Sequence, residues 1–401
     1  MGAALPPPLR DADVRDTTLR NAEDADVAAY AERIAAVLAG DAAAHDRDAT
    51  FAHAHFDHLR QAGALALTIP KAYGGQGRSL YQLLLFQERL GRASGPTALT
   101  LGWHLMLFAY LSHQLTWTPE RFARVCQEVV QRGDLLNILI TERDAGNLLR
   151  GARPTTTATR TASGYTLNGR KAFCSGAPAL AQMVVFAWLE DEQRSAEFLV
   201  PRGDGVQVQD NWHTMGMRAT GSHDIVFDKV WVPHDALVNY IGPDQSSSFT
   251  SNSRVFGLQL AAVYLGIAGA ANTFALEFAR KHVASHPARP LAELPLVQHK
   301  LGEIALQLGT AKGLLYGLAE RWERNPGLRQ QLGLEVGIVK TTVTRLAVDV
   351  VDRAMQLVGG HSLSHDLPLE RYFRDVRCGL FNPPQEDMVI AKLAQAALAC
   401  A

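Results

Sequence analysis

The order in which hydrophobic periodicities follow one another along the chain constrains its fold more than any other feature. From about Ala25 to Arg132 apolar residues recur at helical spacing, as in Ala52, Phe56, Leu59 and Ala62 or along Leu80 to Leu90. From Leu135 to Tyr240 the pattern changes to short alternating runs punctuated by turns: Thr155 to Thr161, Met183 to Ala187, Ala196 to Val200 and Asp224 to Pro233. Ser163-Gly164 is expected to turn the chain, and Asn168-Gly169 carries a strong hairpin signal. Beyond Ser246-Ser247-Ser248 helical periodicity returns in Arg254 to Ala279, Leu296 to Trp322 and Glu335 to Val358. The expected architecture is an α+β multidomain chain. It has an N-terminal helical domain (1–134), a central small β-barrel or sandwich (135–242) and a C-terminal four-helix-bundle-like domain (243–401).

Composition removes several classes of function. A formal net charge of -1 provides no field for nucleic acid, so no nucleic-acid partner is expected. The longest apolar stretch, Leu258 to Ala271, is interrupted by Gln259, Gly266 and Gly269 and reads as a buried helix, so no membrane association is expected either. Cys126, Cys174, Cys378 and Cys400 show no paired spacing, which fits a reduced, cytoplasmic setting without a disulfide framework or zinc motif. His53, His55 and His58 invite a metal reading, and His55 and His58 share one helical face at i, i+3, but no third ligand is close. They read as a solvated face, and no metal is expected.

Several segments, in order, resemble the acyl-CoA dehydrogenase family. Ile140-Thr141-Glu142-Arg143-Asp144-Ala145-Gly146-Asn147 is similar to its T-E-P-x-A-G-S segment, and Gly169 to Gly176 to its G-x-K-x-W-I-T/S-N segment. Met215-Gly216-Met217-Arg218, Ile225 to Pro233, Gln356-Leu357-Val358-Gly359-Gly360 and Pro368 to Asp375 match further family positions. The resemblance implies FAD as cofactor. Thr141 and Ser175 would supply hydroxyl donors, Phe173 flat apolar cover, and Ile140, Gly146, Asn147 and Cys174 the flanking backbone. Gln356, Gly359 and Gly360 would meet the adenosine diphosphate from a neighbouring subunit, which implies a homodimer or homotetramer. It further implies an acyl-CoA or similar substrate, a place in fatty acid metabolism, and electron transfer to an electron-transfer flavoprotein or to oxygen.

Three departures bear on the chemistry. The family's catalytic Glu falls on Pro383 by counting from Arg374-Asp375, and its alternative position falls on Ser253, before Arg254. Glu386 is the replacement base to test, with the competing reading that it only begins the last helix. Arg254 could orient substrate. The family's R-x-x-F-G segment, which helps hold the FAD pyrophosphate, reads Ala284-Ser285-His286-Pro287-Ala288, and the substrate-contacting Ser-Asp reads Asn147-Leu148. The leading expectation is α,β-dehydrogenation of an acyl thioester with hydride transfer to flavin N5. The alternatives are a flavin-dependent monooxygenase of the same fold, served by a flavin reductase, and a non-catalytic binding relative. His104, on the first domain's core helix, stands where such monooxygenases often place a His or Arg.

Overall fold

The computed structural model describes residues 17–114, 116–145, 152–242, 254–284 and 288–399. The first helices are α1 (Ala22–Leu38), α2 (Ala42–Asp48), α3 (His53–Gln61), α4 (Leu80–Ala93), α5 (Gly95–Gln114) and α6 (Pro119–Arg132). Local chemistry sets their ends. Ser79 and Gln82 form a reciprocal capping box at the start of α4, and Thr118 caps α6 with Pro119 in its first turn. Helix α5 is buried along almost its whole length, as a run apolar on every side requires.

Eight strands form one mixed sheet in the middle of the chain. They are β1 (Leu135–Leu139), β2 (Thr157–Arg160), β3 (Gly164–Lys171), β4 (Leu180–Leu189), β5 (Arg194–Pro201), β6 (Val206–Gln209), β7 (Asp224–Pro233) and β8 (Leu237–Tyr240). Their order is β6-β7-β3-β2-β4-β5-β8, with β1 lying parallel to the first half of β4. The β2–β3 hairpin closes at Thr161 to Gly164, as expected from Ser163-Gly164. Asn168-Gly169 does not turn the chain. It lies inside β3 at a register shift opposite β7, where the Asn168 side-chain carbonyl accepts from Lys229 N–H at 2.9 Å. Gly169 has φ +147°, and a Cβ there would lie 2.6 Å from Thr156. The pair that signals a hairpin therefore makes a bulge instead.

The last zone comprises α7 (Leu258–Lys281), α8 (Pro295–Arg324), α9 (Gly333–Val358), α10 (Leu369–Arg377) and α11 (Glu386–Ala399). Helix α7 packs on α4 so closely that a Cβ at Gly91 would sit 2.5 Å from the Val263 carbonyl, and one at Gly266 2.2 Å from that of Glu88. Glu88 is itself buried and accepts from Tyr316 Oη at 2.5 Å and Arg92 at 2.7 Å, which pins α4 to α8. Residues 255–281, around α7, form a helical stretch long and apolar enough to cross a membrane, yet its apolar window is mostly buried inside the protein. The first and last helical zones thus share one core, with the sheet set against it.

Candidate functional site

Beyond the end of β1 the chain passes Ile140 and Thr141, and the Thr141 carbonyl accepts the Ala172 N–H at 2.8 Å. That bond brings Thr141 beside the Phe173-Cys174-Ser175 segment that follows β3. A buried ion pair fixes the junction. Glu142 receives Lys171 Nζ at 2.6 Å, Thr155 N–H and hydroxyl each at 2.6 Å, and Thr156 N–H at 3.1 Å, while Lys171 also reaches the Ile140 carbonyl. Burial alone would raise the Glu142 pKa. Lys171 and the threonine donors outweigh it and hold the carboxylate below its usual range.

Phe173 adopts φ +55°, a left-handed backbone costing roughly 1–2 kcal/mol for a residue with a Cβ, and its side chain remains 54% exposed. An apolar ring held outward at that cost is a site feature rather than core. Trp212 meets it edge-on at 5.8 Å, and the Arg143 guanidinium lies 5.6 Å from its centroid. Arg143 is fixed by Asp224, a fully buried carboxylate that it contacts at 2.8 and 3.0 Å and shares with Arg170. Ser175 starts a hydroxyl chain: Ser175 Oγ to Ser222 Oγ at 2.8 Å, then Thr220 Oγ1 at 2.7 Å, which donates to the Met217 carbonyl. Asn137 holds the Ser175 carbonyl at 2.9 Å. Thr141 and Phe173 are exposed beside one another, and Ser175 lies two residues further on; a flat apolar ring and hydroxyl groups are what an isoalloxazine ring would need there.

The other expected residues are distributed differently. Between Phe173 and Ser175, Cys174 offers only its backbone, since its thiol is buried, and burial raises its pKa. Gly146 and Asn147 lie outside the described residues. Gln356, Gly359 and Gly360 form a second locality where α9 ends; Gly359 has φ +70°, and a Cβ on either glycine would meet nothing within 4 Å. Beside that turn, a cleft of about 380 Å3 is lined by Phe278, His282 and His361 among others, with His282 stacked on Phe278 at 3.6 Å. His286, which sequence reasoning named, lies outside the described residues.

Of the three expected catalytic side chains, Glu386 and His104 are held in contacts with other protein groups, and that of Arg254 lies outside the described residues. Glu386 begins α11 and is paired with Arg345, Nε to carboxylate at 3.0 Å, so it is held by a surface cation rather than presented as a base. His104 is fully buried; its Nδ1 accepts Leu136 N–H at 3.0 Å, and its Nε2 faces the Leu65 carbonyl at 3.0 Å. Burial pushes its pKa down to about 4, so it is a neutral cross-link between α5 and β1. Arg254 opens a single 3-10 turn ahead of α7, and its side chain lies outside the described residues.

Counting from Arg374-Asp375 puts the family's base at Pro383, which follows Asn382. Tyr264 Oη donates to Asn382 Oδ1 at 3.1 Å, and buried Lys340 Nζ donates to the carbonyls of Gly379, Asn382 and Pro384 at 3.0, 2.6 and 3.2 Å. Burial pushes Lys340 down to about 8, opposed by Glu386. This clamp was missed from sequence. Its signal was a lone Lys on the apolar face that carries Val336, Val343 and Ala347.

A chain of this helical–sheet–helical architecture is a flavoprotein oxidoreductase. Residues 22–116, 137–230 and 258–380 match the N-terminal, middle and C-terminal domains of acyl-CoA dehydrogenase, respectively. The chain belongs to the acyl-CoA dehydrogenase family. It is 40% identical to the acyl-CoA dehydrogenase-like protein YdbM of Bacillus subtilis (strain 168), over 90% of this chain and 94% of that one. It is 30% identical to the amino sugar nitrososynthase DnmZ of Streptomyces peucetius over 88% of each. Among solved structures, FMN-bound TdsC from Paenibacillus sp. A11-2, a dibenzothiophene monooxygenase, superposes with a TM-score of 0.84 at 28% identity, over 94% of this chain and 98% of that one.

Proposed function

We propose that this flavin-dependent oxidoreductase of acyl-CoA dehydrogenase type works as a monooxygenase on a small heteroatom-bearing substrate. The carrying observation is the clamped Asn382-Pro383 at the base position together with Glu386 bound to Arg345. Removing an α-proton needs a carboxylate in reach of the substrate. The monooxygenase reaction converts substrate, O2 and reduced flavin to oxygenated substrate, water and oxidised flavin, and draws on no such base. When bound, the flavin supplies the two electrons. The chain's own residues would orient the ring through Phe173 and donate to its polar edge from the Thr141 hydroxyl, while Ser175 Oγ, whose proton goes to Ser222, would accept. The names of DnmZ and TdsC support this reading.

Dehydrogenation of an acyl thioester, as in fatty acid metabolism, is the second reading, favoured by the family and by the likeness to YdbM. The retained Gln356, Gly359 and Gly360 support FAD as the bound form. FMN, present in TdsC, is the competitor, and chromatography of heat-released flavin decides between them. A flavin reductase would serve the first reaction, and an electron-transfer flavoprotein the second. Exposed Leu306, Phe381, Ile390 and Leu398 support a homodimer or homotetramer built through the C-terminal helices. Cys126, Cys174 and Cys378 are unpaired thiols, which supports a cytoplasmic location.

The test is anaerobic mixing of oxidised holoprotein with a panel of acyl-CoA thioesters. The expected result is an unchanged visible flavin band, with photoreduced protein reoxidising rapidly on admission of O2. Bleaching by a thioester overturns the monooxygenase reading; bleaching lost in Glu386→Gln would in addition make Glu386 the base.

A further inference from the structure

Asp41 occupies the N-cap of α2 but makes no cap hydrogen bond, although Asp is among the favoured N-cap residues. Its carboxylate turns instead to two imidazoles. His55 Nε2 lies 2.5 Å from Oδ1, and His45 Nε2 lies 3.5 Å from Oδ2. The opposite nitrogen of each ring is already held: His45 Nδ1 by the Thr50 hydroxyl at 2.8 Å, His55 Nδ1 by that of Thr97 at 2.7 Å. The expectation from sequence placed His55 on a solvated face with His53 and His58. It is in fact 2% exposed, and its companions come from α2. In the tautomer in which each Nδ1–H donates to its threonine oxygen, both Nε2 lone pairs are free to bind a cation beside the carboxylate; without a cation, Nε2–H donates to Asp41.

We propose that Asp41, His45 and His55 bind a zinc-class divalent cation, with water as the fourth ligand. Two imidazoles and one carboxylate are the donor set of a borderline ion, and hydroxyls on the far ring nitrogens are the outer shell that fixes ligand orientation. The three ligand atoms lie within 4.8 Å of one another. Metal–nitrogen bonds of about 2.1 Å in tetrahedral geometry place ligand atoms roughly 3.4 Å apart. The His55–Asp41 pair, at 2.5 Å, must therefore open by about 0.9 Å and the widest pair close by up to about 1.4 Å, and Asp41, with its side chain 47% exposed, can supply that movement. The cation ties α2 to α3 and, through Thr97, to α5. Helix α2 in turn carries Asp46, whose carboxylate holds Arg374 and whose carbonyl accepts from Arg218. The site thus braces the turn that carries Met217 and Thr220, the last members of the Ser175 hydroxyl chain.

Untagged protein freed of metal with a chelator would be titrated with Zn2+ by calorimetry and with Co2+ by visible absorption. One equivalent bound at micromolar protein, with the intense bands of four-coordinate Co2+, is the expected result. Asp41→Asn and His45→Gln, both at partly exposed positions, should abolish it while far-ultraviolet circular dichroism stays unchanged. Thr50→Val should weaken it about 10- to 100-fold. Absence of stoichiometric binding by the unaltered protein, or binding retained in both ligand variants, would show a plain Asp–His contact and overturn the proposal.

Discussion

His104 allows the separation of structural from catalytic histidine chemistry to be tested quantitatively. Its folded pKa of about 4, against an ordinary 6.5, means that between those values the unfolded chain binds the proton and the folded chain does not. Stability therefore rises with pH across that window: the contribution is complete above 6.5 and is lost as pH falls toward 4. At about 1.4 kcal/mol per pH unit the loss amounts to roughly 3 kcal/mol. Replacing His104 with Phe removes the titration and leaves the Leu136 N–H and Leu65 carbonyl without their buried partner, a cost of roughly 2–5 kcal/mol near pH 7. Urea unfolding of both proteins from pH 7.5 down to 4.5 should show the stability gap narrowing by about 3 kcal/mol as pH falls, the subtraction cancelling every other titrating group. A gap that does not change with pH, or a His104 ring resonance titrating near 6.5 in the folded protein, would refute the assignment.

Other expectations follow from the same geometry. Lys171→Met leaves the Glu142 charge buried without its cation and should cost about 3–5 kcal/mol in urea unfolding; adding Glu142→Gln should recover part of that loss, and a loss under 1 kcal/mol would contradict the pairing. Lys340→Met orphans three carbonyls and should raise amide exchange across residues 379–385 while flavin stays bound, so unchanged protection would speak against the clamp. Glu386→Gln exchanges a partly exposed ion pair for a neutral contact, so it should alter stability by no more than about 1 kcal/mol and leave flavin content intact.

Much of the architecture was legible because periodicity reports burial. The three long C-terminal segments form helices close to their expected spans, and β7 runs from Asp224 to Pro233 as the alternation indicated. Asn168-Gly169 misled because a hairpin and a bulge demand the same permissive backbone; the partner strand β7 decided the outcome, and local sequence does not contain it. Resemblance singled out Thr141, Phe173 and Ser175, which the fold sets side by side, but the residues that support them were not legible. Asn137, Asp224, Ser222 and Lys340 act across sequence separations of 38 to 81 residues, which no local pattern encodes. His104 and Glu386 were chosen for residue type, and burial in one case and Arg345 in the other gave them structural roles. His55 failed in the opposite direction, since neighbours at i and i+3 drew attention away from Asp41, fourteen positions earlier.

The most direct measurement titrates flavin-free protein with flavin, following fluorescence quenching in the unaltered chain and in a Phe173→Gly, Ser175→Ala double variant. One flavin per subunit with strong quenching is predicted for the former. For the latter, affinity should weaken by at least about tenfold while the fold gains the roughly 1 kcal/mol of strain released at position 173. Equal affinity in the two proteins, or no flavin taken up by either, would contradict the placement of the redox ring on this edge of the sheet.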